Sequence, residues 1–144
     1  MTYQQLDAIA DSYIPLLGIL TLVWLLIKAS RLGIKSALIE LVTTSLGVIY
    51  IYALMFLDAY FTAYASIGLD YSTHTALALV FVTTLALIGK QVRRITVISM
   101  VCYCLLMLYQ GYHTLADMAL TSLMTLPVLV WLKCLPNRKA KLVW

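Results

Sequence analysis

Charge is scarce in this chain of 144 residues: Asp, Glu, Lys and Arg together make 11% of it, against 63% hydrophobic. A water-soluble domain carries roughly a quarter charged residues, so there is too little polar surface here to face water on all sides. Proline and glycine are also few, three and six, which excludes a linker-rich or disordered chain. The three cysteines, Cys102, Cys104 and Cys134, lie in or beside apolar stretches. They make no disulfide framework and read as small packing residues. No Lys or Arg precedes Lys28, and Asp7 and Asp11 stand where a positive leader region belongs, so a cleaved secretory signal is not expected. No internal repeat or low-complexity segment is visible.

What the chain does have is apolar runs of membrane-crossing length. Five spans are expected, at Tyr13–Ile27, Ser36–Leu57, Thr73–Ile88, Ile95–Tyr112 and Leu115–Leu132. All must be helical, because an open strand leaves its backbone unsatisfied in lipid. The fold class is therefore all-α: one polytopic transmembrane domain, residues 1–144, with about five helices. All ten basic residues fall into three groups: Lys28, Arg31 and Lys35; Lys90, Arg93 and Arg94; and Lys133, Arg138, Lys139 and Lys141. Five spans bring the three groups to one side, which the positive-inside rule makes cytoplasmic. The N-terminus is then outside, the C-terminus inside, and residues 133–144 form a basic cytoplasmic tail. Asp7, Asp11, Asp58, Asp70 and Asp117 fall toward the outside, whereas Glu40 falls inside near Lys35. Residues 1–12 carry one apolar helical face (Leu6, Ile9, Ala10) and read as an outer interfacial segment or as a frayed end. The net charge of +4 is accounted for by topology, so no nucleic-acid partner is implied. The expected location is a bacterial inner (plasma) membrane. Thr43, Thr44, Thr83 and Thr84 are expected to hold helices together by hydrogen bonds.

Histidine is the scarcest chemically useful residue, with two in the chain. His74 opens the third span and His113 sits at the junction of the fourth and fifth. Lys90 lies 16 positions beyond His74, and His113 lies 20 positions beyond Arg93. At about 1.5 Å per residue the two imidazoles reach heights within roughly 6 Å of each other, at the outer mouth of one helical hairpin. Asp117 follows His113 by four residues and shares its face if the helix begins at or before His113. A carboxylate there would fix one ring nitrogen and leave the other basic or nucleophilic. Equally, Thr114 and Asp117 can form a helix capping box, and Ser72 can cap the third span.

Tyr71-Ser72-Thr73-His74 followed by His113-x-x-x-Asp117 resembles the type-2 phosphatidic acid phosphatase superfamily, the membrane lipid phosphate phosphatases. That family has Pro-Ser-Gly-His at the first position and Ser-Arg, five residues, His, three residues, Asp at the second. The resemblance covers about residues 70 to 135. It implies that His113 attacks phosphorus to form a phosphohistidine, Asp117 orients it, and His74 protonates the leaving oxygen. It also implies that Tyr71, Ser72 and Thr73 bind the substrate, a membrane lipid or polyprenyl phosphate, with no cofactor. The chain departs from the pattern at Leu106-Met107, where the family has Ser-Arg, and it has no Lys or Arg between Lys35 and Lys90. Two alternatives stay open beside this enzyme. One is a non-catalytic membrane subunit that binds a partner membrane protein or a lipid, alone or as an oligomer. The other is a metal site built from His74, His113, Asp117 and Asp70.

Overall fold

Long apolar stretches become long helices here, and the first and last do so even with prolines inside them, Pro15 in the first and Pro127 and Pro136 in the last. A computed structural model describes residues 2–141, and beyond Leu135 the backbone alone. Helix α1 runs Tyr3–Leu32 and α2 runs Ile34–Phe61. Between them Gly33 alone makes the corner, with φ +85°, a conformation that costs a side-chain-bearing residue strain. A single 3-10 turn, Ala65–Ile67, sits in the connection to α3, Thr73–Ala86; α4 spans Lys90–Tyr109 and α5 Leu115–Lys141. Among the described residues there is no strand.

Four of these helices, α1, α2, α4 and the Leu115–Leu135 part of α5, are long and apolar enough to cross a membrane. The architecture is that of a multi-pass membrane protein. The fifth expected span is different. Helix α3 has 14 residues, so at about 1.5 Å each it is about 21 Å long, short of the ~30 Å hydrocarbon layer. The expected span Thr73–Ile88 is observed as a shorter helix at the centre of the bundle, running from His74 beside His113 at one end to Thr84 beside Thr44 toward the other. Thr75, Ala76, Ala78, Leu79, Val80, Val82, Thr83, Thr84 and Leu85 are all buried, and α3 packs against each of the other four helices. A helix shielded from lipid on every side need not match the membrane's thickness, because its neighbours satisfy what its ends leave open.

Around α3 the pairs α4–α1, α1–α2 and α2–α5 are in contact, whereas α4 and α5, consecutive in the chain, do not pack along their length. The ring is therefore least tightly packed between α4 and α5. Its interior is built from small and hydroxyl-bearing side chains. Ala76, Ala78, Thr84, Thr121 and Thr125 have no exposed surface, and the threonines return their hydroxyls to carbonyls one turn back, as Thr84 does to Val80 at 2.9 Å. In lipid, helices associate through such close packing and hydrogen bonding, since tails are as apolar as leucine. Outward faces carry Leu26, Phe56, Ile98 and Leu123, all well exposed, as lipid-facing surfaces are.

Residues 3–12 continue α1 without a break. Its start is tied to the α4–α5 turn: the Tyr3 hydroxyl donates to the Gln110 carbonyl at 2.8 Å, and Gln110 Nε2 and the Tyr112 hydroxyl donate to Asp7. Two expectations change at the opposite end. Lys133 does not belong to a solvated tail; it lies inside the bundle with 6% of its side chain exposed, and Glu40 pairs with it and with Lys28 rather than with Lys35. The side chains of Arg138, Lys139 and Lys141 lie outside the described residues. Cys102 and Cys134 face outward instead of packing inside, and all three thiols are free.

Candidate functional site

The chain between α2 and α3 folds back into the bundle and sets His74. Tyr71 donates its hydroxyl to the carbonyl of Ile51 at 3.0 Å, ten residues down α2 from its end. Ser72, with no exposed surface, caps α3: its hydroxyl accepts from Thr75 N at 3.3 Å and donates to Thr75 Oγ1 at 2.8 Å. Its amide donates to Thr121 Oγ1 on α5 at 3.1 Å. These hydrogen bonds fix the first turn of α3 against α2 and α5. The same bonds use the Tyr71 and Ser72 hydroxyls. Thr73 is half-buried beside them, and His74 is exposed.

His113 comes from the α4–α5 turn. Gly111, at φ +72°, reverses the chain after α4, and Thr114 starts α5 by accepting from Asp117 N at 3.2 Å. The two imidazoles meet as their heights predict, with ring centroids 6.4 Å apart and planes inclined by 52°. Asp117 does not join them. Helix α5 begins at Leu115, after His113, so the two side chains do not share a helical face. One Asp117 oxygen accepts from Thr114 N at 2.7 Å and the other from Asp70 N at 2.9 Å. The carboxylate thus closes the capping box and pins the α2–α3 loop, and the expected carboxylate–imidazole contact is absent for that reason.

His113 Nδ1 is buried without a hydrogen-bond partner. Burial favours the neutral ring and lowers its pKa below the usual histidine value, and the neighbouring His74 pushes the same way; the Asp117 charge opposes both. An open cavity of about 470 Å³ lies over the ring, lined by Asp70, Leu108, Tyr112, Thr114 and Asp117 among others, with no Lys or Arg. Met107, at the place of the family's arginine, is packed in the core at 2% exposure. The expected metal grouping does not form: among the described residues no three His, Cys, Asp or Glu side chains converge, because Asp117 is turned to backbone amides.

A second polar cluster sits at the far end of α3. Glu40 Oε2 accepts from Lys28 Nζ at 2.6 Å, and Glu40 Oε1 accepts from Lys133 Nζ at 2.6 Å. Lys133 also donates to Thr43 and Thr44, at 3.2 and 2.7 Å, and Thr44 meets Thr84 of α3 at 3.3 Å. Of the threonines expected to hold helices together, Thr44 and Thr84 meet across α2 and α3 and Thr43 and Thr44 receive Lys133 of α5, whereas Thr83 bonds only carbonyls of its own helix. The signal in the sequence was the chain's one glutamate standing in an apolar run; an intramembrane carboxylate needs a partner. Comparison with known proteins adds no relative, since no family model, curated protein or solved structure matches this chain.

Proposed function

We propose that this chain is a lipid-phosphate phosphatase or phosphotransferase of small size, acting at the outer leaflet of a bacterial inner membrane, with its N-terminus outside and its C-terminus inside. The observation that carries the reading is the 6.4 Å approach of the two imidazoles, beside the loosely packed α4–α5 side through which a lipid headgroup can enter from the bilayer. Burial favours the neutral form of His113, which is the nucleophilic one. One of its ring nitrogens attacks phosphorus, the bond from phosphorus to the alcohol oxygen breaks, and protonated His74 gives that oxygen its proton. Water then attacks phosphorus and gives a proton to the now neutral His74, the bond from phosphorus to the His113 nitrogen breaks, and inorganic phosphate is released with His113 restored; a second alcohol in place of water yields a new phosphate ester. The N-terminal ends of α3 and α5 supply partial positive charge. Lacking an arginine, worth ~10³-fold or more in phosphoryl transfer, the reaction is slow.

The test is phosphate release from phosphatidic acid and from a polyprenyl phosphate by the purified protein in detergent. The expected result is slow release, an acid-labile phosphoprotein, and loss of both in His113→Ala. Absence of release, or release untouched by that substitution, sinks the enzymatic reading. A second reading is favoured by the commitment of Asp117 to two backbone amides and by the uncharged cavity lining. It is a non-catalytic membrane subunit that holds a lipid or a partner membrane protein. Stoichiometric co-purification of a partner, unaffected by His74→Ala, would select it over the first.

A further inference from the structure

Lys28, Glu40 and Lys133 place two ammonium groups around one carboxylate, leaving a surplus of one positive charge at the end of the bundle away from the histidines. The surplus is not shared equally. Lys133, 6% exposed, donates to Glu40, Thr43 and Thr44, which uses all three hydrogens of its ammonium group. Lys28, 17% exposed, donates to Glu40 alone among the described residues and keeps two N–H groups in reserve. Both lie against a cavity of about 370 Å³ whose wall includes Lys28, Ser36, Glu40, Lys133 and the Trp24 indole. Ser36 and Trp24, whose side chains carry uncharged donors, line the same cavity. Burying an uncompensated charge is costly, and cost is avoided when a counter-ion occupies the space beside it.

We infer that this cavity is a binding site for a phosphate-type anion, held by Lys28 with help from Ser36 and Trp24, with Glu40, itself paired with Lys133, as the carboxylate that competes for Lys28. The anion comes either as free phosphate or as the headgroup of a lipid. The site is separate from the histidine pocket and does not depend on its chemistry. In charge terms it is the reverse of the outer cavity, which holds carboxylates and no cation.

The experiment uses the full-length His113→Ala protein in dodecyl maltoside, a detergent without phosphate, so that no phosphohistidine can form, and the Lys28→Met comparison separates this cavity from the outer one. Thermal unfolding is followed while inorganic phosphate, dioctanoyl phosphatidate or dioctanoylglycerol is titrated at constant ionic strength. The unfolding midpoint is expected to rise with phosphatidate and not with dioctanoylglycerol. A matching rise with inorganic phosphate identifies a free anion as sufficient, and a rise with phosphatidate alone identifies the lipid headgroup. Lys28→Met is expected to weaken the apparent affinity at least tenfold, and Ser36→Ala several-fold. Glu40→Gln, which leaves both lysines and removes the competing carboxylate, is expected to tighten it. If neither phosphate compound shifts the midpoint, the inference is overturned. Equal shifts in Lys28→Met and its parent overturn it too; should Lys28→Met fail to fold, unchanged affinities in both Ser36→Ala and Glu40→Gln have the same force.

Discussion

At the scale of single residues, the two ends of α3 give opposite lessons. His74 and His113 were legible in the sequence because the chain has no other histidine and helix rise fixes their heights. The role of Asp117 was not, because spacing of four places two side chains on one face only where both are helical, and α5 starts two residues after His113. Asp117→Ala is expected to cost about 2–3 kcal/mol of unfolding free energy, from a lost cap and the orphaned Asp70 and Thr114 amides; denaturant titration in mixed micelles measures it. Asp117→Asn, which keeps one acceptor, should recover part of that loss. The lowered pKa of His113 has a defined sign. The folded ring stays neutral where the unfolded chain already binds a proton, so stability falls as pH drops below about 6.5 and levels off below the folded-state value. His74→Gln removes the repelling neighbour and should move the His113 titration upward, read from its ring proton resonances. Lys133 was hidden for another reason: hydropathy places a lysine after a span in water, whereas here α5 carries its helix past it and the acceptors on α2 draw it inward. Lys133→Met should destabilise by about 2 kcal/mol or more, because Glu40, Thr43 and Thr44 each lose a charged donor.

At the scale of elements, helix type follows from apolar length and the starts of α3 and α5 from the caps at Ser72 and Thr114, whereas α1 starts ten residues before the expected span and α5 ends nine after it. What hydropathy did not separate is an apolar helix facing lipid from one facing protein, which is why α3 read as a span. Its depth shows in its partners instead. A Cβ built on Gly47 of α2 would lie 2.9 Å from Leu129 Cδ2 and 3.4 Å from Val80 Cγ1, so α2 approaches both α3 and α5 closely there. Gly47→Ala should cost little, since the end of a leucine side chain can shift. Gly47→Val should cost about 1–3 kcal/mol by overpacking, visible as a lowered midpoint of thermal unfolding. A similar midpoint for the two variants would mean that the three helices are not so closely fitted.

For the molecule as a whole, the sequence told the class of architecture through the grouping of all ten basic residues, and the proposed orientation follows from the same grouping. A membrane-impermeant maleimide, applied to intact cells expressing a cysteine-free background, should label Ser66→Cys and leave Lys90→Cys unlabelled until the membrane is opened; the reverse pattern would invert the protein. The loosely packed side of the ring between α4 and α5 bears on selectivity under the proposed function. An amphiphile sliding in sideways would keep its tail among neighbouring lipids while its head met the imidazoles, and nothing in the protein would measure how long that tail is. Whatever discrimination exists must be made on the first few atoms below the water line.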